Sequence, residues 1–170
     1  MIRVRHATPD DVGAVCAIMA AALPAVRPGD YLPDPPEFVE AHIATPEGFT
    51  LLAEDEEWPV GFLLVAFPGP GSDNLGRDIG LPVDRLAQVA QMESVAVAPG
   101  WWGRGLQRRL LRAAEPLARR RGSEVALCTV APTNVHSLGN FAALGYRVMA
   151  RKPMYGGFDR LILAKRLDTG

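Results

Sequence analysis

The chain has 170 residues, 48% of them hydrophobic and 22% charged, with a formal net charge of −1. That length and balance describe one soluble globular domain spanning 1–170 and argue against nucleic acid as a main partner. No apolar run approaches the roughly 20 residues of a membrane span, and Met1-Ile2-Arg3-Val4-Arg5-His6 lacks the long apolar core of a signal peptide, so a cytoplasmic protein with no membrane partner is expected.

Ile2-Arg3-Val4-Arg5 alternates and predicts a first strand. Thr8-Pro9-Asp10-Asp11 offers a helix start, with Thr8 as N-cap and Pro9 at the first helical position. Val12, Val15, Cys16 and Met19 recur at helical spacing, which carries that helix to about Ala22. The two cysteines, Cys16 and Cys128, stand far apart in apolar contexts, with no paired spacing for zinc or redox chemistry. They read as core thiols, and no metal is expected. From Pro24 to Pro36 repeated prolines remove donors and restrict their predecessors, so the stretch is a loop, carrying Tyr31 and Asp34. Glu37 to Thr45 predicts a short second helix, with Phe38 and His42 at i and i+4.

Phe49–Glu54 and Pro59–Phe67 read as two strands of a hairpin, joined by the acidic turn Asp55-Glu56-Glu57-Trp58. Pro68 to about Gln88 is long for a connection, whose usual length is about 4–6 residues. It is expected to cover part of a substrate pocket or to be a mobile surface insertion, with one helical turn between Leu81 and Val89.

Ala90 to Ala98 is nearly continuous in apolar residues, as a strand buried on both faces should be. Pro99-Gly100 ends it, glycines follow at Gly103 and Gly105, and leucines then recur at helical spacing. Strand, glycine turn and helix in that order leave unpaired N–H groups at the helix start, where their partial positive charge attracts phosphate. The helix is expected from roughly Gly105 to Arg121, with Leu106, Leu110, Leu111, Ala114, Leu117 and Ala118 as its apolar stripe. Pro116 should kink or split it. Of the arginines on its other face, Arg112, Arg119, Arg120 and Arg121 read as solvated, while Arg104 and Arg108 stand beside the phosphate turn.

Glu124–Val130 predicts a buried strand, and the short crossover makes the unit parallel and right-handed. Asn134 is a good N-cap for the next helix, and Gly145 a good residue just beyond its end. Tyr146–Met154, Gly156-Gly157 and Arg160–Leu167 suggest a closing hairpin.

Gly103-Arg104-Gly105-Leu106-Gln107, after a strand ending Val95-Ala96-Val97-Ala98-Pro99, resembles the acyl-CoA-binding segment of the GCN5-related N-acetyltransferase (GNAT) family. There the segment reads Arg or Gln, two residues, Gly, one residue, then Gly or Ala; here Trp102 replaces the first and Gln107 the last. Asn134 through Leu144-Gly145-Tyr146 resembles the family's second signature, with Ser137 where Ala is usual. The resemblance implies an α/β (α+β) fold: a mixed, mostly antiparallel sheet of about six to seven strands flanked by about four helices, with one parallel pair splayed to admit the cosubstrate. It implies acetyl transfer from acetyl-CoA (coenzyme A) to a primary amine of a small molecule or peptide; it does not fix the oligomeric state, although a homodimer is common for the fold. The cofactor contacts it implies are Val95, Ala96 and Val97 on the strand, Trp102, Gly103, Arg104, Gly105, Leu106, Gln107 and Arg108 at the turn, and Asn134, Ser137 and Phe141 on the later helix.

Amine acylation needs a base for the ammonium, a donor for the developing oxyanion, and an outlet for the thiolate. By the resemblance, the donor is a backbone N–H around Val95 to Val97, and Glu93 is the base. The family tyrosine that protonates the thiolate aligns with Phe141, which has no proton to give; Tyr155 and Ser137 are the substitutes the chain offers. That loss supports an alternative, a non-catalytic acyl-CoA-binding regulatory domain. A different nucleotide-binding module using the Gly-Arg-Gly turn is a third. The proline-rich stretch with Tyr31 and Asp34 is either a surface connection or, as the resemblance implies, a wall of the acceptor site.

Overall fold

The computed structural model describes residues 1–167. Eight strands form one sheet: β1 (Ile2–His6), β2 (Ala44–Thr45), β3 (Gly48–Asp55), β4 (Trp58–Ala66), β5 (Val89–Val97), β6 (Val125–Val130), β7 (Arg147–Met154) and β8 (Phe158–Arg166). Their order is β1-β3-β4-β5-β6-β8-β7, with β2 appended to β3. Four α-helices cover it: α1 (Val12–Ala22), α2 (Pro36–Ala41), α3 (Leu106–Arg120) and α4 (Val135–Ala143). This is the mixed, mostly antiparallel α/β sheet expected; only β5 and β6 pair in parallel.

Two apolar layers sandwich the sheet. On one side the α3 stripe of Leu106, Leu110, Leu111, Ala114 and Ala118 packs with Phe141 and Tyr146 on β3, β4 and β5. Each fully buried leucine there contributes about 1.5–3 kcal/mol relative to exposure. On the other side Val15, Ile18, Met19 and Ala22 of α1 meet Leu52, Phe62 and Leu64. The helix start expected at Thr8 is present as a short 3₁₀ turn, Pro9–Asp11, leading into α1. The Asp11 carboxylate accepts from the Thr8 N–H at 2.7 Å.

The central feature is a register fault. β5 pairs with β6 only at Val89–Val125, Ala90–Ala126 and Gln91–Leu127. Beyond those rungs β5 stays with β4 while β6 stays with β8, so the two strands part and leave a wedge. At the same level the β4–β5 register slips: Leu64 faces Ser94 and Val65 faces Met92, which leaves Glu93 as the extra residue of a β-bulge. The bulge reverses the alternation. Ala90 and Met92 face α3 before it, Val95 and Val97 after it, and Ala96 turns to the α1 side. Bulges beside functional sites commonly re-aim a side chain in this way.

Several expectations change. The second helix ends at Ala41, because His42 Nδ1 bonds the Phe38 carbonyl at 2.7 Å and the chain then extends into β2. Pro116 does not split α3, which runs unbroken to Arg120. Arg121 is not merely solvated: it donates to the Thr45 and Pro46 carbonyls and lies 4.3 Å from the Phe67 ring centroid.

Candidate functional site

A cavity of about 300 Å³ occupies the wedge between β5 and β6. The bulge turns Glu93 into it, beside Val95. Asn134, Ser137 and Phe141 of α4 line it from the helix side; Tyr31 and Asp34 of the proline-rich loop and Tyr155 of the β7–β8 turn line it from the other. The loop is thus a wall of the cavity. Its Asp30 carboxylate accepts from Thr133, which ties it to the start of α4.

Backbone geometry makes the β5 edge of the wedge polar. The Ala98 N–H donates to Val60 O, so the alternate N–H groups, those of Val97 and Val95, point away from β4 into the gap. Trp102 Nε1 reaches the Val97 carbonyl from that side at 2.7 Å. By the same alternation the Ala96 N–H is spent on β4 and its side chain packs under α1. Of the three β5 positions expected at a cofactor, Ala96 therefore stands apart from Val95 and Val97.

Past the strand, Gly103 (φ 77) and Gly105 (φ 72) adopt the left-handed conformation, and Gly105 is the N-cap of α3. A Cβ on Gly103 would meet nothing within 4 Å and one on Gly105 only Arg108 Nη2 at 3.9 Å, so open space adjoins the turn. The first carbonyl-bound amide of the helix is that of Arg109, which donates to Gly105 O. The N–H groups of 103–108 take no protein acceptor among the described residues. Arg104 lies 4.3 Å from the Trp101 ring centroid, and Arg108 reaches back toward Gly105. Leu106 is buried, so only its backbone faces out. Gln107 joins this turn to the cavity: its Nε2 donates to Ser137 Oγ at 3.0 Å and its Oε1 accepts from Asn140 at 3.0 Å. Asn134 caps α4, accepting from the Ser137 N–H at 3.2 Å.

The electrostatics follow from burial. Desolvation pushes the Glu93 carboxyl above the usual range, with the charges of Asp34 and Asp73 adding to it. Burial likewise raises Asp34 and the Tyr155 phenol, which shares a hydrogen bond of 2.9 Å with Thr129 Oγ1. Phe141 is buried, edge-on to Tyr146 at 5.0 Å between centroids, and the Tyr146 hydroxyl points to Glu115 instead. The Ser94 hydroxyl sits beside Tyr31 and Asp34, and among the described residues neither it nor the Tyr31 hydroxyl has a hydrogen-bond partner within normal geometry.

Gln91, Thr129 and Arg160 are among the site residues that were not anticipated. Gln91 donates to Glu93; its only sequence signal is a polar residue two positions before the glutamate in an apolar run. Thr129 and Arg160 line the cavity from β6 and β8, and neither carries a local signal. The 68–88 loop contributes no lining residue. It folds over β6 and β8 through Leu75 and is pinned by the buried Asn74, which donates to Gly69 O and Leu86 O. Among the described residues no His/Cys/Asp/Glu group suits a metal, and no helix is long and apolar enough to cross a membrane.

A wedge between parallel strands, a bulge at its mouth and open amides on the next helix together make up the candidate site of this α/β fold. The sequence pattern of the acetyltransferase (GNAT) family matches residues 15–146, and the chain belongs to that family. No curated protein matches it. Among solved structures it is similar to Arabidopsis thaliana NAA60 in complex with acetyl-CoA (TM-score 0.79, 13% identity, 98% of each chain covered). It is also similar to the ribosomal-protein-S18-alanine N-acetyltransferase of Escherichia coli (TM-score 0.73, 15% identity, 100% of this chain and 96% of that one). A third is yncA from Salmonella typhimurium with its cofactor acetyl-CoA (TM-score 0.72, 21% identity, 100% and 96% covered). At these identities the likeness is one of fold.

Proposed function

We propose that the protein transfers an acetyl group from acetyl-CoA to a primary amine, both substrates being bound together. The observation that carries this reading is the placement of Glu93, bulged out of β5 into the wedge and next to the free amides of Val95 and Val97.

When bound, acetyl-CoA supplies an activated acyl carbon and a thiolate leaving group: the new N–C bond forms as the C–S bond breaks. The chain's residues do the rest. The amides of 103–108 and the positive end of α3 hold a diphosphate, with Arg104 and Arg108 beside it. Asn134, Ser137 and Phe141 wall the arm that runs into the wedge. The Val95 and Val97 N–H groups face the gap, where they stabilise negative charge on the acyl oxygen. Glu93 takes the proton of the incoming ammonium. Its raised affinity for a proton suits it to that work near neutral pH, where a carboxylate of ordinary pKa is too weak a base. Phe141 gives no proton to the departing sulfur, but a thiolate is a far weaker base than an alkoxide and leaves without one. The amine's second proton then reaches sulfur through solvent or the Tyr155 hydroxyl.

The experiment is a thiol-release assay with acetyl-CoA over a panel of primary amines, with the product identified by mass. A gain of one acetyl group on the amine, matched to thiol released, supports the reading. Tight CoA binding with no acetylated product would favour a non-catalytic acyl-CoA-binding domain, the alternative to which the apolar Phe141 lends weight.

A further inference from the structure

Arg160 is the only cation in the buried set of described residues, with 4% of its surface exposed. Burying a guanidinium is costly unless an anion compensates it, and arginine is seldom buried without one. Yet Arg160 makes no ion pair among the described residues. The adjacent Asp159 is taken by Arg151. Arg160 Nη2 donates to the Gly29 carbonyl at 2.6 Å and Nη1 to the Asp159 carbonyl at 3.0 Å. These bonds orient the group and use two of its five N–H donors, and among the described residues no carboxylate lies within ion-pair distance of it.

The setting is built to hold that group still. The Tyr155 and Phe158 rings flank it, their centroids 5.8 and 5.6 Å from Cζ. Gly29 (φ 86) presses its backbone onto the Phe158 ring, where a Cβ would stand 3.2 Å away. The proline-rich loop and the β7–β8 hairpin therefore clamp the guanidinium between them. It lines the same cavity as Glu93 and Asp34.

We infer that the acceptor is a small amino acid, its ammonium held at Glu93 and Asp34 and its carboxylate paired with Arg160. The inference rests on the acetyl-transfer reading. Carboxylates outnumber the guanidinium in the cavity, which would also draw a dicationic amine. A dication, however, sets a second positive charge against Arg160 and leaves it uncompensated, whereas a zwitterion answers both ends. A cavity of about 300 Å³, shared with the acyl group, suits a molecule of that size.

The test compares the standard amino acids with their decarboxylated amines and their amides in the thiol-release assay with acetyl-CoA. We expect at least one amino acid to exceed both counterparts by about tenfold or more in kcat/KM, as one charge-paired contact provides. Arg160→Gln should bring that ratio close to one, chiefly by raising KM for the acid, and Arg160→Lys should keep part of it. CoA titration and thermal unfolding check that each variant is folded; if Arg160→Gln is not, the wild-type ratio and Arg160→Lys decide. Amines or amides acetylated as well as the acids, or a ratio that survives Arg160→Gln, overturns the inference while leaving acetyl transfer intact. CoA binding with no acetylation of any amine overturns the transfer reading and this inference with it.

Discussion

Gln91 Nε2 donates to Glu93 Oε2 over 2.8 Å, while Gln91 Oε1 receives the Leu75 N–H over 2.7 Å. One carboxamide thus ties the 68–88 loop to the carboxylate at the bulge, although no residue of that loop lines the cavity.

This bond stabilises the charged form of Glu93 against burial and against the neighbouring acids. Replacing Gln91 with Leu removes it, so the Glu93 carboxyl rises further and the acid limb of kcat/KM moves to higher pH. Asp34→Asn removes a repulsion and moves the limb to lower pH. Rate profiles from about pH 5 to about pH 10 read both shifts. Displacements of the same sign would show that Glu93 does not set the limb.

Glu93→Gln should lower kcat by about 10²–10⁴-fold, the usual worth of a positioned base, with CoA affinity retained. Stability should move the other way. A folded-state pKa above the unfolded value means that Glu93's contribution is fully present below the unfolded pKa and lost as pH rises through the folded one. At pH 8 the buried charge opposes folding, so Glu93→Gln should match or exceed the wild-type Tm there. A clear loss of Tm at pH 8 would assign Glu93 to structure instead.

Gly105 has φ 72 at the α3 N-cap, a conformation that costs an L-residue about 1–2 kcal/mol. Gly105→Ala should lower Tm by roughly 2–8 °C and weaken CoA binding. Gly100→Ala, at a position with no positive φ and nothing within 4 Å, should do neither. Differential scanning calorimetry and calorimetric CoA titration check both.

At the far edge of the sheet, hydrogen bonds from Arg5 hold the Asp11 carboxyl at about 2. Arg5 and Arg3 also hold Glu54 below its usual range. Such lowered groups stabilise the fold above their unfolded pKa and lose that contribution as pH falls through the folded value. Tm should therefore drop between about pH 4 and about pH 2. Glu54→Gln should start lower at pH 7 and lose less on acidification.

What could be read before the fold was known is the part governed by local chemistry. The Pro99-Gly100 stop, the glycine turn at 103 and 105 and the Asn134 cap each follow from a residue's own backbone preferences. The α3 stripe follows from apolar spacing alone, whereas the positive φ of Glu56 (46) and Glu57 (75) in the acidic turn runs against the preference of glutamate and is imposed by the β3–β4 pairing. Features set by pairing between distant strands were not legible. The bulge that turns Glu93 outward, and moves Ala96 to the other face from Val95 and Val97, exists only against β4. The wedge exists because β6 leaves β5 after Gln91. Arg160 reads from the sequence as the first residue of the last strand, where an arginine is ordinarily solvent-facing; in the fold it is the third residue of β8, and its burial needs the Gly29 loop laid over it. The 68–88 segment reads from its sequence as a pocket cover or a mobile insertion, because the bonds from Asn74 to the Gly69 and Leu86 carbonyls that close it on itself have no local signature.

The most direct measurement is a titration of the protein with CoA followed through its backbone amide resonances. The account predicts saturable shifts concentrated at Gly103, Gly105 and Arg108, where a diphosphate meets free N–H groups, and at Val95 and Val97, where the thiol arm enters the wedge. A spectrum unchanged at those amides, at CoA concentrations well above those that saturate working acetyltransferases, would contradict it.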